Sequence, residues 1–300
     1  MQKNIFTVLS VCALAVALTA CGSPKADSAQ VSTGATATAE SSLPAQADVQ
    51  NSFTEIVLVD NEDCTFKITA VENDSIWGYT LKSYLENKTD QELMFTLSNV
   101  SVNGFMCDPF WASSVMPGMK ANEEIHFSTT DFARNGIESV TLIEGTLKVY
   151  DSNNWEAEDV VLMPFALYPL GEAAVQPYVR ASVDGEMVLF DDENCTMIVT
   201  GFDPENTWGY TVDIYLENKT DNELMFSVTD ASVNGFMCDP FWAETVASGK
   251  RSNTAIRWTA STLEENGITQ VETIALSVRV YDNNDWLAED LVSETFNIQP

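Results

Sequence analysis

The chain has 300 residues, 45 of them acidic and 14 basic, for a formal net charge of −31. The bases do not cluster, so the surface repels nucleic acid and anionic lipid headgroups and excludes binding to either through a polybasic face. One histidine and six cysteines without a C-x-x-C pair argue against a zinc site. The acidity itself suits solubility, and it also suits a cation or a basic partner.

Met1 to Asn4 carry one positive charge, and Ile5 to Ala17 form a short apolar run. That run fits a signal-peptide core and is too short for a comfortable membrane span. Leu18-Thr19-Ala20-Cys21 follows at once and resembles a bacterial lipobox. The resemblance implies cleavage before Cys21, giving a signal at 1–20, and lipidation of the Cys21 thiol. An ordinary secretory signal with a fortuitous cysteine is the alternative. Each buried CH₂ of a lipid chain contributes roughly 0.8 kcal/mol, so two or three chains anchor firmly at the membrane. Residues 22–52 are rich in Ser, Ala, Thr, Gln and Val without apolar periodicity, which predicts a disordered tether from 21 to 52. As flexible coil it has an r.m.s. span near ~30 Å.

From residue 53 the period is two. Tyr79, Leu81, Ser83 and Leu85 share one face, while Lys82, Tyr84 and Glu86 share the other, the pattern of a half-buried antiparallel strand. Asn87-Lys88-Thr89-Asp90 is a turn, and Leu93, Phe95 and Leu97 then alternate inward. Asn103-Gly104 between apolar segments predicts a two-residue type I′ hairpin, because both central residues need positive φ. The returning segment contains Pro109, which cannot donate to a ladder, so it is expected at a sheet edge. Thr130 to Ile137 predicts one helical turn with Gly136 at the left-handed C′ position. Val140, Leu142, Leu147 and Val149 mark late strands, the acidic segment 150–155 is the connection before the last one, and Val160 to Leu167 is that final strand.

The whole pattern then recurs. A shift of 131 residues places Tyr84 to Asp90 on Tyr215 to Asp221 and Val102 to Trp111 on Val233 to Trp242, without a gap. The chain is therefore a tandem duplication: repeat 1 over 53–169, a linker over 170–185 containing Gly171 and Pro177, and repeat 2 over 186–300. Seven or so strands per copy, with turns every 8–12 residues, predict an all-β fold of two antiparallel sandwiches, each with one short helix.

The run Leu-Glu-Asn-Lys-Thr-Asp, the run Val-Asn-Gly-Phe-Met-Cys-Asp-Pro-Phe-Trp, the glycines Gly118 and Gly249, and Val-Tyr-Asp followed by a Trp resemble immunoglobulin-like domains of unknown function in Gram-positive surface lipoproteins. The resemblance spans both repeats. It implies an Ig-like sandwich exposed outside the membrane, and it carries no catalytic residues and no ligand.

Two copies test each candidate site. Cys64 and Cys107 are 43 residues apart, as are Cys195 and Cys238. The duplication selects an intradomain disulfide in each copy among the three possible pairings, with buried free thiols as the alternative. His126 aligns with Arg257, which removes any shared histidine-based site. Asp151, Asn153 and Glu158 align with Asp282, Asn284 and Glu289 in oxygen-rich loops. These are weak calcium candidates or plain Asx turns, since the EF-hand glycine is missing. Phe110, Trp111, Phe241 and Trp242 sit beside the expected edge strand, where they either fill the sandwich or form a patch for a protein, peptide or glycan. No nucleophile, phosphate-loop or dinucleotide motif occurs. The expected function is non-catalytic binding or presentation of an extracellular ligand from a lipid anchor. A spacer without ligand and an extracytoplasmic carbohydrate-active hydrolase are the alternatives.

Overall fold

The computed structural model describes residues 53–75, 78–154, 156–285 and 287–300. The expected signal, Cys21 and the tether lie outside the described residues. Residues 51–300 form one compact unit, and within it the two repeats build separate cores.

In repeat 1 the strands are β1 (Ile56–Asp60), β2 (Cys64–Ser75), β3 (Gly78–Asn87), β4 (Leu93–Val102), β5 (Phe105–Met106), β6 (Ala112–Val115), β7 (Lys120–His126), β8 (Ile143–Asp151) and β9 (Val161–Leu167). A short helix, α1 (Thr129–Arg134), follows β7. Repeat 2 has β10 (Met187–Asp191), β11 (Cys195–Asp203), β12 (Gly209–Asn218), β13 (Leu224–Val233), β14 (Phe236–Met237), β15 (Ala243–Val246), β16 (Arg251–Thr259), α2 (Ala260–Glu265), β17 (Ile274–Asp282) and β18 (Val292–Ile298).

Each repeat is a two-layer sandwich. One sheet has the order β1-β2-β3-β7, and the facing sheet carries β5 and β6 beside β4, then β8 and β9. Without β1, this is the Ig-like arrangement: three strands A-B-E against C-F-G, with β6 lying beside C. The alternation explains the burial. Tyr79, Leu81, Ser83 and Leu85 are buried inside, and Lys82, Tyr84 and Glu86 point out. The extra N-terminal strand and the β5/β6 pair raise the number of strands beyond seven. They are short or lie at edges, where periodicity is faint.

Asn103 and Gly104 have φ of 52° and 85°, and Val102 pairs with Phe105, as a type I′ turn requires. Asn234 and Gly235 repeat this with φ of 51° and 82°. The helices begin slightly earlier than the sequence suggests. Ser128 Oγ accepts from the Asp131 N–H, and Thr259 Oγ1 from Thr262, so the hydroxyl before the expected start is the cap. Gly136 and Gly267, at φ 63° and 69°, end the turns as expected.

The repeats are joined through their sheets. β16 of repeat 2 lies parallel to β5 of repeat 1, with Arg251 opposite Phe105 and the Arg251 N–H donating to the Gly104 carbonyl at 2.9 Å. One continuous sheet therefore runs β10-β11-β12-β16-β5-β4-β8-β9 across both copies.

Candidate functional site

After β5 the chain leaves the ladder. The Cys107 N–H bonds the Val100 carbonyl at 2.9 Å, which holds the start of the loop on β4. Pro109 then breaks pairing, and Phe110 adopts φ 48°, a left-handed conformation uncommon for a bulky residue. A carboxylate oxygen of Asp108 accepts from the Phe110 N–H at 2.8 Å and locks this turn. Burial raises the Asp108 pKa, and the hydrogen bond from Phe110 opposes that rise.

The reversal at Phe110 separates its neighbours. Trp111 turns into the core and stacks on Phe66 with centroids 5.6 Å apart, while Phe110 projects outward with 93% of its surface exposed. Repeat 2 does the same. Asp239 holds the Phe241 N–H at 2.8 Å, φ is 48°, and Phe241 is 93% exposed. There Trp258 Nε1 donates to the Cys238 carbonyl at 2.8 Å and pins the loop from the opposite sheet. The two outcomes expected from sequence, filling the sandwich or forming a patch, are thus divided among the four aromatics. Trp111 and the half-buried Trp242 pack against the cores, and Phe110 and Phe241 are the exposed members.

The acidic loops fold on themselves. Asp151 Oδ1 accepts from the Asn153 N–H at 2.9 Å, and Asp282 Oδ1 from the Asn284 N–H at 2.8 Å, forming Asx turns. Glu158 and Glu289 are exposed. Nearby, Lys148 pairs with Asp159 at 3.2 Å and Arg279 grips Asp290 at 2.8 Å. Among the described residues no group of three or more His, Cys, Asp or Glu converges on a metal position.

The disulfide expectation is corrected. Cys64, Cys107, Cys195 and Cys238 are separate buried thiols. Cys64 pairs with Asn87, at the end of the sandwich where β3 passes into β4. Cys107 sits beside Val100 near the other end of β4, with Asn135 Nδ2 donating to its sulfur at 3.5 Å. About seven residues of strand lie between, roughly 23 Å at the usual rise. A disulfide needs Cα atoms within about 7 Å. Burial raises the thiol pKa of Cys64 to about 11 and of Cys107 and Cys195 to about 12.

The junction between repeats is the part that sequence did not reveal. Tyr178 of the linker meets Phe105 edge-on at 5.0 Å, and the Arg251 guanidinium lies 4.8 Å from the Tyr178 ring centroid. Arg180 stacks on Tyr215 at 4.7 Å while its fork grips Glu186. Lys250 bonds Glu144 at 2.6 Å, and Asn99 bonds Glu223. One signal was legible. Lys67 and Met119 of repeat 1 become Ile198 and Lys250 in repeat 2, changes placed on the face that the junction covers.

A cavity of about 960 Å³ also lies in repeat 2 beside α2, lined by Phe202, Tyr210, Leu263, Ile268, Val271 and Pro300 among others. In repeat 1 the counterpart of Leu263 is Phe132, whose larger ring packs 6.0 Å from Tyr79.

Neither a family model nor a curated protein matches the sequence. Among solved structures, the chain is similar to the YadV chaperone, at 9% identity and a TM-score of 0.21, covering 79% of this chain and 100% of that one. It is also similar to a protein of unknown function from Porphyromonas gingivalis W83, at 13% identity and a TM-score of 0.19, covering 82% and 99%. A third is the CsuC-CsuE chaperone–tip adhesion subunit pre-assembly complex of Acinetobacter baumannii, at 12% identity and a TM-score of 0.20, covering 73% and 90%. Such scores carry nothing about ligand, partner or activity. The Ig-like sandwich rests on the strand order.

Proposed function

We propose that this is a non-catalytic binding protein, held by a lipid on Cys21 at the extracytoplasmic face of a membrane, that presents Phe110 and Phe241 to a partner. The observation that carries this reading is the duplicated, outward phenylalanine. Each costs backbone strain of order 1 kcal/mol and leaves an aromatic ring in water. Neither cost helps the sandwich, yet both copies retain the residue and the aspartate that holds it. An apolar pocket on a protein or peptide that takes the ring recovers both. Two such rings on one chain multiply affinity through effective concentration. The lipobox-like Leu18-Thr19-Ala20-Cys21 and the tether-like composition of 22–52 support the anchor and stand-off.

The test is binding of labelled residues 51–300 to envelope preparations of the source cell. Either Phe110→Ala or Phe241→Ala weakens binding severalfold, and the double variant loses it with an unchanged melt. Full binding by the double variant would sink the reading. The anchor is checked separately: Cys21→Ala moves the full chain from the detergent phase to the aqueous phase.

A further inference from the structure

We propose that the protein self-associates head to tail, the β14 corner of repeat 2 in one copy docking on the β7 end of repeat 1 in the next. The argument rests on one ten-residue segment present twice. In repeat 1, Val102 to Trp111 forms the corner that the second repeat covers, and Phe105 is 4% exposed. In repeat 2 no strand among the described residues pairs with the identical Val233 to Trp242 in the way that β16 pairs with β5. Phe236 is 49% exposed and Met237 72%. The same apolar corner is therefore buried once and open once within one molecule.

What covers the first corner is itself duplicated. The cover is the start of β16: the Arg251 N–H on the Gly104 carbonyl, Lys250 on Glu144, and the Asn253 N–H on the Asn135 side chain at 3.3 Å. Its counterpart in repeat 1 is the start of β7, where Lys120 pairs with Glu86 in the register that Arg251 has with Glu217. That register turns the Lys120 N–H away from β3, as it turns the Arg251 N–H away from β12. β7 is an end strand of the repeat 1 sheet β1-β2-β3-β7, and β14 is an end strand of the repeat 2 sheet β14-β13-β17-β18. Docking one on the other repeats an interface that already exists inside the chain, so the occupant is a second copy. A contact of this kind is heterologous and leaves a free end at each side.

The side chains follow. Lys250 and Glu144, a charged pair in the internal junction, are replaced by Met119 and Ala275, an apolar pair. Met119 is 59% exposed. Asn135 has its match in Asn266. One point opposes docking: the Asn99–Glu223 bond becomes Asp230 facing Glu92, two carboxylates. The linker ring of Tyr178, edge-on to Phe105 at 5.0 Å, lies outside the repeated segment, so the intermolecular contact is weaker than the internal one. The facing carboxylates, with a net charge of −31 on each copy, make association stronger as salt rises.

The test is sedimentation equilibrium of residues 51–300 across protein concentration at low and high salt. The expected result is a mass that rises with concentration past that of two chains, with a constant at least tenfold tighter at high salt. Met237→Glu removes the acceptor and Met119→Glu removes the donor. Both side chains are exposed, so both variants keep the wild-type melt. Each variant alone is a monomer. Mixed, they form a dimer and nothing larger, because one intact donor meets one intact acceptor. A wild type that stays monomeric at high salt, a variant that still self-associates, or a mixture that stays monomeric would overturn the proposal. Phe110 and Phe241 are untouched in these variants, so the outcome is independent of partner binding through those rings.

Discussion

The side-chain amide of Asn87 donates to the carbonyl of Val115 at 2.8 Å, tying the end of β3 to β6 on the facing sheet. The same Nδ2 bonds the Gln91 carbonyl, and Oδ1 accepts from the Thr89 N–H and hydroxyl. Asn218 makes the equivalent set with Asn222, Val246 and Thr220. Asn87 is fully buried, so its removal leaves backbone carbonyls without donors in an apolar setting. Asn87→Ala and Asn218→Ala should each cost about 2–4 kcal/mol, from roughly 1–3 for each orphaned group. Urea melts measure this. A cost below half a kilocalorie would show that water replaces the amide.

The four buried thiols predict indifference to reductant. A melt of residues 51–300 should not move with added dithiothreitol, and iodoacetamide should label the cysteines only after unfolding. Cys64, Cys107 and Cys195 are protected twice over, by burial and by thiol pKa values raised to about 11 or 12. A drop in melting temperature with reductant would restore the disulfide expectation.

Calcium should do little. The inward oxygen of Asp151 and of Asp282 already accepts a backbone N–H within its own turn. Binding would have to displace that bond. Millimolar calcium, compared with chelator, is expected to leave the melt unchanged, and Asp151→Asn, which can still accept the same bond, should be neutral. A calcium-dependent rise abolished by Asp282→Ala would make the loops metal sites.

Glu244 sets a pH dependence of defined sign. Its carboxylate lies in the crevice between repeats, where desolvation raises its pKa above 4.5, opposed by hydrogen bonds from Ser252 and Thr254 and by Arg134, with Asp131 adding to the rise. Asp108, Asn99 and Asn253 also line that crevice. A carboxyl whose folded pKa is raised stabilises the fold fully below its unfolded pKa, and that contribution fades as pH rises through the folded value. Glu244→Gln should therefore raise the melting temperature at pH 7 relative to wild type, with the gap closing towards pH 4. A gap that widens on acidification would reverse the assignment.

The Tyr178 ring between Phe105 and Arg251 couples the copies. Tyr178→Ala should loosen the junction without touching either core. Calorimetry should then resolve two transitions, one per sandwich, where the wild type shows one broader cooperative event. Limited proteolysis should cut near 175–185 faster in the variant.

The period of two in residues 79–85 and 210–216, the Asn-Gly hairpins and the 131-residue repeat determined the sandwich class, the turn positions and the number of copies. All three are local or self-referential properties, set by which face a side chain takes and which φ a residue tolerates. Tertiary structure alone decided that Cys64 and Cys107 stand at opposite ends of one sandwich, because a strand of ten residues separates ends that sequence spacing cannot. It alone turned Trp111 inward and Phe110 outward, through one left-handed residue held by Asp108. It alone distinguished Phe105 from Phe236. The two lie in the same ten-residue segment, and what differs is the neighbour that the rest of the chain brings against each.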